Sequence, residues 1–414
     1  MRSSLESMTS AVAVFLSFGV FLGACASLKK AETSSAQSPS IIELIWTELP
    51  FHKEPDVPKD LRRALKALNE SQYEEALALF ERYMWKEPTS PYTQSAQLNA
   101  GRALEGLGRW SEAIERYRSV AVATEGVAPK LQAMALYRMA FCYEALGEDQ
   151  LNIATLIDVS NRSAYLPEEV ATAEVPARLA ASYARAGNFD MALKYYNAAE
   201  RGIVRLKRLA AEDKEKMREW LPRTLYYMGT MSLRRVSWDD FESALRPLAY
   251  GQTYLLESAE WGMEPWSDRA AKDLISFYSD LWRVIETAPV PTGVEDPVVA
   301  RREVQARQWA RSASVMEYIQ ELRARIPPQV LEGGAPSSSQ VKTILEFLSA
   351  LDGRIEKLLA QRPAGEGLTP ESLERLSRIR GQVISPDDSL ERIYIESLRK
   401  SRSESPALDQ DPNL

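Results

Sequence analysis

A chain of 414 residues exceeds what one compact core holds and has room for two or three domains. It is 45% apolar and 26% charged, a balance that can fold and suits helix, and its formal net charge of −7 sets it against nucleic acid, whose phosphates need clustered Lys and Arg. One histidine, His52, rules out multi-histidine metal sites, and two cysteines, Cys25 and Cys142, are too few for a disulfide framework.

The N-terminus reads as a targeting segment. Arg2 gives a weak positive start, and Ala11 to Leu22 is an unbroken apolar run of twelve residues. That is a signal-peptide length, short of the about 20 residues that cross a bilayer. Leu22-Gly23-Ala24-Cys25 follows at once. It resembles the lipobox of bacterial lipoproteins, which implies cleavage after residue 24 and lipidation of Cys25. Several acyl chains on one residue hold a protein stably at a membrane. Ala26 and Ser27 are not the acidic pair associated with inner-membrane retention, so the resemblance implies the outer membrane, facing the periplasm. Residues 25–40 then read as a polar tether.

Four segments of the body share one pattern: a small residue, a turn residue seven later, an aromatic two further on, then a small residue and a large one. Gln94–Ala121 carries Gly101, Gly108, Trp110, Ala113 and Tyr117, and Ala173–Ala199 carries Ala180, Gly187, Phe189, Ala192 and Tyr196. Val57–Pro88 has Ala64, Ser71, Tyr73, Ala76 and Phe80. Pro222–Leu248 is looser, with Gly229, Val236, Trp238, Phe241 and Leu245, and Ala133–Leu156 is a degenerate fifth copy. The small residues let paired helices approach, glycine supplies the turn, and the aromatics fill the gaps between neighbours. The pattern resembles the tetratricopeptide repeat, a helix–turn–helix unit of about 34 residues. The resemblance implies an all-α, tetratricopeptide-like α-solenoid over residues 41–286. Each helix pair is amphipathic, so copies must stack to bury their apolar faces.

Beyond Gly251 the repeat fades while helix continues. Trp266–Glu286 is amphipathic, and Thr287–Pro297 is a proline-broken linker. Arg301–Ile326 spaces Val304, Trp309, Ala313, Met316, Ile319 and Leu322 along one helical face. Val341–Leu359 is a further helix and Pro370–Ile379 a short one, which makes 298–380 a C-terminal helical extension. The polar tail, 400–414, reads as disordered. The charge-rich run Arg201–Arg218 reads as the solvated face of a long helix, and Cys142 as a buried thiol.

No nucleophile elbow, phosphate loop, dinucleotide fingerprint or paired-histidine zinc motif occurs, so no enzyme, cofactor or metal is expected and no small-molecule substrate is evident. The resemblance implies instead a groove lined by the first helix of each repeat, with Leu61, Leu65, Leu98, Arg102, Tyr137, Phe141, Arg185, Tyr226 and Arg234 facing it. Aromatics and arginines dominate interface energies, and the fork of Arg102 or Arg185 suits a carboxylate. The alternative is that Tyr137, Phe141 and Tyr226 pack against other helices. Three functions stay open. The first is a membrane-anchored scaffold that binds envelope proteins or peptides and assists assembly of an outer-membrane or cell-wall complex. The second is a cell-wall enzyme or glycan-binding module in the C-terminal half, which converging carboxylates in 255–330 would favour. The third is a self-assembling solenoid.

Overall fold

The structure is a computed structural model. It describes residues 57–209, 213–233, 235–290, 292–332 and 334–361. The expected signal peptide, Cys25, the tether, His52, Arg234, the short helix Pro370–Ile379 and the tail lie outside the described residues. Among the described residues there is no strand, and no helix is long and apolar enough to cross a membrane. The chain divides into two compact units, Met1–Leu146 and Gly147–Leu414.

The first unit is a run of helical hairpins. Its helices are α1 (Lys59–Asn69), α2 (Tyr73–Lys86), α3 (Thr93–Gly106), α4 (Trp110–Ala123) and α5 (Pro129–Ala145). Each packs on the next in the chain. The first helices α1, α3 and α5 also lie side by side. The turn chemistry expected from the repeats is present. Gly108, with φ of +70°, follows α3, and its amide donates to the Glu105 carbonyl. The next amide, of Arg109, reaches back to the Leu104 carbonyl at 2.9 Å. This pair of bonds satisfies carbonyls the helix end leaves free. Ser71 and Gln72 make the same two bonds after α1, to Leu68 and Ala67, with Ser71 itself at φ of 60°.

Close approach explains the small residues. A Cβ on Gly101 would lie 2.6 Å from the Tyr117 ring. Ala64, Ala76 and Ala113 are fully buried. Glu74 and Glu75 occupy the first turn of α2, where carboxylates favour the helix dipole.

The second unit begins with α6 (Asp149–Ser160), a short 3-10 turn (Ser163–Tyr165) and a π-turn (Val170–Glu174). The π-turn runs directly into α7 (Val175–Arg185), which pairs with α8 (Phe189–Leu209) through Gly187 at φ of +75°. Asn188 and Gly187 repeat the turn bonds of the first unit, to Tyr183 and Ala184. Then come α9 (Lys214–Thr230), α10 (Phe241–Glu260), α11 (Trp266–Glu286), α12 (Pro297–Arg323), the single turn α13 (Pro328–Leu331) and α14 (Ser339–Leu359).

One expectation changes here. The run Arg201–Arg218 is not one unbroken helix: α8 is described to Leu209, and α9 starts afresh at Lys214. The reason is Asp213, whose carboxylate caps α9 by accepting from the Lys216 amide at 3.2 Å. Pro222, at which the loosest repeat copy opens, lies inside α9.

Helices α10, α11, α12 and α14 share one core that includes Phe241, Leu274, Tyr278, Ile319, Ile344 and Ile355. The segment 287–296 therefore joins two helices of one core. Ser338 ties α14 down twice: it accepts from the Val341 amide at 3.1 Å and donates to the Ala259 carbonyl at 2.6 Å.

Candidate protein-interaction face

In the first unit the face of the first helices is built around charge. Glu105, in the last turn of α3, is buried and accepts from both Nε and Nη2 of Arg138 on α5, the former at 2.9 Å. The Tyr117 hydroxyl on α4 donates to the same carboxylate. The side chains of Arg138 and Glu105 are only 8% and 5% exposed. Burial alone pulls the Arg138 guanidinium down, but Glu105 outweighs it and holds the cation charged, above its ordinary range. Burial and then Glu105 push the Tyr117 phenol well up.

Arg102 lies one turn back from Glu105 on α3. It is half-buried and donates to the Asn99 side-chain oxygen at 3.1 Å. Asn99 is fixed in turn by donating to the Ser95 carbonyl at 2.9 Å. Burial, with repulsion from Arg138, pulls Arg102 down to about 10. Glu105 is thus paired with Arg138, while Arg102 donates to the neutral Asn99 side chain. A residual positive charge sits on a half-buried fork, in a setting that strengthens any anion contact.

The predicted groove residues divide by burial. Leu61, Leu98, Tyr137 and Phe141 are in the core. Tyr137 and Phe141 meet edge to face at 5.1 Å, and Arg138 lies over the Phe141 ring. Leu65 is half-buried on α1. In the second unit Arg185 is exposed, with its Nε donating to Asp149 at 3.1 Å and its Nη2 to Ser182 at 3.2 Å. Tyr226 is half-buried, lies 5.6 Å from the Trp266 ring and donates to Asp273 at 2.9 Å. Burial raises the Asp273 carboxyl in spite of that bond. The structure therefore gathers Arg102, Tyr137 and Phe141 around Arg138, and leaves Leu65, Arg102, Arg185 and Tyr226 within reach of solvent.

The second unit holds a comparable charge cluster. Glu174, at the end of the π-turn, is fully buried and accepts from Arg223 on α9. Fully buried Arg178 lies over the Tyr227 ring at 5.6 Å. Arg223 and Arg269 both lie over Trp266. The π-turn is held by Gly202, since a Cβ there would lie 2.1 Å from the Thr172 carbonyl oxygen.

Residue-by-residue reading of the repeats missed Glu105, Arg138, Glu174, Arg178 and Arg223. The signal was a lone charge among apolar neighbours on a first helix, as in Leu136-Tyr137-Arg138-Met139. Lone charges in such settings are buried only when paired.

Cys142 is buried and in no disulfide among the described residues. Among the described residues no group of three or more His, Cys, Asp and Glu could hold a metal ion. Trp266, Trp282 and Trp309, which a sugar-stacking platform in the C-terminal half would expose, are buried.

No family model matches the chain, and no curated protein matches it. Solved structures do. TPR-like repeats from Podosopora anserina, described as nearly identical repeats of a kinesin light chain, are 16% identical with a TM-score of 0.36, covering 48% of this chain and 94% of theirs. A point variant of the same repeats is 17% identical at the same TM-score. A circular tandem repeat protein with a novel repeat topology is 16% identical with a TM-score of 0.17, covering 83% of this chain and 90% of its own. At such TM-scores the fold stands on the chain's own helix packing: all-α, tetratricopeptide-like hairpins stacked as in an α-solenoid.

Proposed function

We propose that this protein is a scaffold that binds other proteins of the cell envelope, held at the membrane through lipidated Cys25. The observation that carries the reading is the side-by-side packing of α1 and α3, which leaves half-buried Leu65 and the Arg102 cation within reach of solvent. Helix α5 is buried from Leu131 to Tyr143, so the open part of the face lies on α1 and α3, and such a face suits a short peptide or a helix. Arg102 suits a carboxylate of that partner, and half-buried Leu65 offers an apolar contact on α1. In the second unit Arg185 and Tyr226 are the corresponding contacts. The outer membrane, facing the periplasm, is the location we propose, together with a role in assembling an envelope complex.

A photo-reactive residue placed at position 65 in living cells tests this. It should crosslink a defined envelope protein, and Arg102→Glu should abolish the same crosslink. The same reagent at Ala78, exposed on α2, serves as the control. Equal capture at 65 and 78, or capture indifferent to Arg102→Glu, sinks the reading.

A further inference from the structure

The three most exposed large apolar side chains described in the first unit lie at one end. Trp85, near the end of α2, is 82% exposed, and Val122 near the end of α4 and Val127 just beyond it are each 70% exposed. The topology puts all three together at that end. Helices α1 and α2 run antiparallel, with Lys86 beside Asp60 at 3.5 Å, so the end of α2 meets the start of α1. Helices α2 and α4 are in register, since Arg116 bridges to Glu81 at 2.6 Å. Trp85 stands one turn beyond that bridge on α2, and Val122 between one and two turns beyond it on α4. The opposite end carries the tight turns at Ser71 and Gly108.

We infer that the Trp85–Val122–Val127 rim dips into the headgroup region of the membrane to which the protein is tethered. This rests on the anchored reading given above. Three observations select a bilayer over a protein partner. First, the chain enters the unit at this same end: Val57 leads into α1, and Cys25 lies only thirty-two residues before it. The segment that would link the unit to the proposed anchor therefore joins it at the rim. Second, Trp85 on α2 and the pair Val122 and Val127 at the end of α4 are open to solvent, whereas protein hot spots sit in packed, water-excluding pockets. Third, a tryptophan with an apolar body and a polar N–H is the side chain best suited to the membrane–water boundary, and neighbouring Arg82 and Lys86 are long enough to reach headgroups. A tether makes even a weak contact intramolecular, at an effective concentration on the order of millimolar.

The test uses the full chain reconstituted into vesicles of phosphatidylethanolamine and phosphatidylglycerol, with and without acyl-chain bromine, which quenches nearby tryptophan. The chain has nine tryptophans, so complete quenching of one removes about a ninth of the emission. That component should be lost on brominated vesicles in the wild type and be missing from the difference in Trp85→Phe. Val122→Asp with Val127→Asp should reduce it. Equal quenching in wild type and Trp85→Phe, or none, overturns the inference. So does concentration-dependent self-association that Trp85→Ser removes, which would assign the rim to a second copy. Mass spectrometry of the same sample reports acylation at Cys25 separately. An unacylated chain whose Trp85 is still quenched would sink the anchor and keep the rim.

Discussion

Glu105→Gln isolates the charge at the centre of the first unit. The amide keeps the size and loses the charge, so Arg138, 8% exposed, is left buried without its carboxylate and Arg102 stands unopposed beside it. Breaking a buried pair from one side costs about 3–5 kcal/mol, because the remaining charge stays desolvated. The Tyr117 hydroxyl would also trade an ionic acceptor for a neutral one. A surface pair calibrates the scale. Arg63 and Glu75 are 67% and 47% exposed at 3.0 Å, and Glu75→Gln should cost at most about 1 kcal/mol. Urea unfolding, with hydrogen exchange read over α3 and α5, measures both losses. A Glu105→Gln loss no larger than that of Glu75→Gln would refute the buried ion pair as the centre of this unit.

Two further predictions concern packing and pH. Gly101→Ala should destabilise by about 1 kcal/mol or more, since overpacking against the fixed Tyr117 ring exceeds the roughly 1 kcal/mol that alanine gains in a helix. Gly353→Ala on α14 meets nothing within 4 Å and should stabilise by about 0.5–1 kcal/mol; thermal melts that rank the two variants the other way would contradict the helix register. Burial raises Asp273, so the folded state takes up its proton at a higher pH than the unfolded chain does. The protein should therefore gain stability as pH falls from neutral through the raised value, and Asp273→Asn should flatten that part of the profile in urea titrations against pH.

Much of the fold was legible because its signals are local. Gly108 and Gly187 mark turns that only a positive φ can close, and Gly101 and Ala113 mark contacts that only small side chains permit. The helix Trp266–Glu286 was readable to the residue because both its ends carry ordinary stop signals. What was not legible is long-range. Nothing near Arg223 in sequence announces Glu174, forty-nine positions away, and no helical periodicity foretells the π-turn that aims it. The fresh start of a helix at Lys214 was hidden because the capping Asp213 is one acid among several in a charge-rich run. Of the predicted face, Leu61, Leu98, Tyr137 and Phe141 went into the core, since repeat spacing assigns a residue to a helix face without saying what covers it.

Each unit places one buried Glu–Arg pair between successive first helices, Glu105 to Arg138 and Glu174 to Arg223, and backs it with a second arginine and an aromatic ring. Stability does not require this, because apolar groups of similar volume often do as well or better than a buried ion pair. Registration is the more plausible gain: apolar helix faces attract without direction and can slip by a turn, while a bidentate guanidinium–carboxylate pair fits in one position. An interaction face built from separate helices needs that fixed position, since its contacts come from residues far apart in the chain. The double replacement Glu105→Leu with Arg138→Met should therefore melt within about 1–2 kcal/mol of the wild type, or above it. The same variant should show heterogeneous α3–α5 pairing, seen as several competing products when cysteines are placed on facing positions and crosslinked. A variant that keeps a single crosslinked product would mean that the pair contributes no registration, and that the small-residue contacts at Gly101 and Tyr117 set the alignment alone.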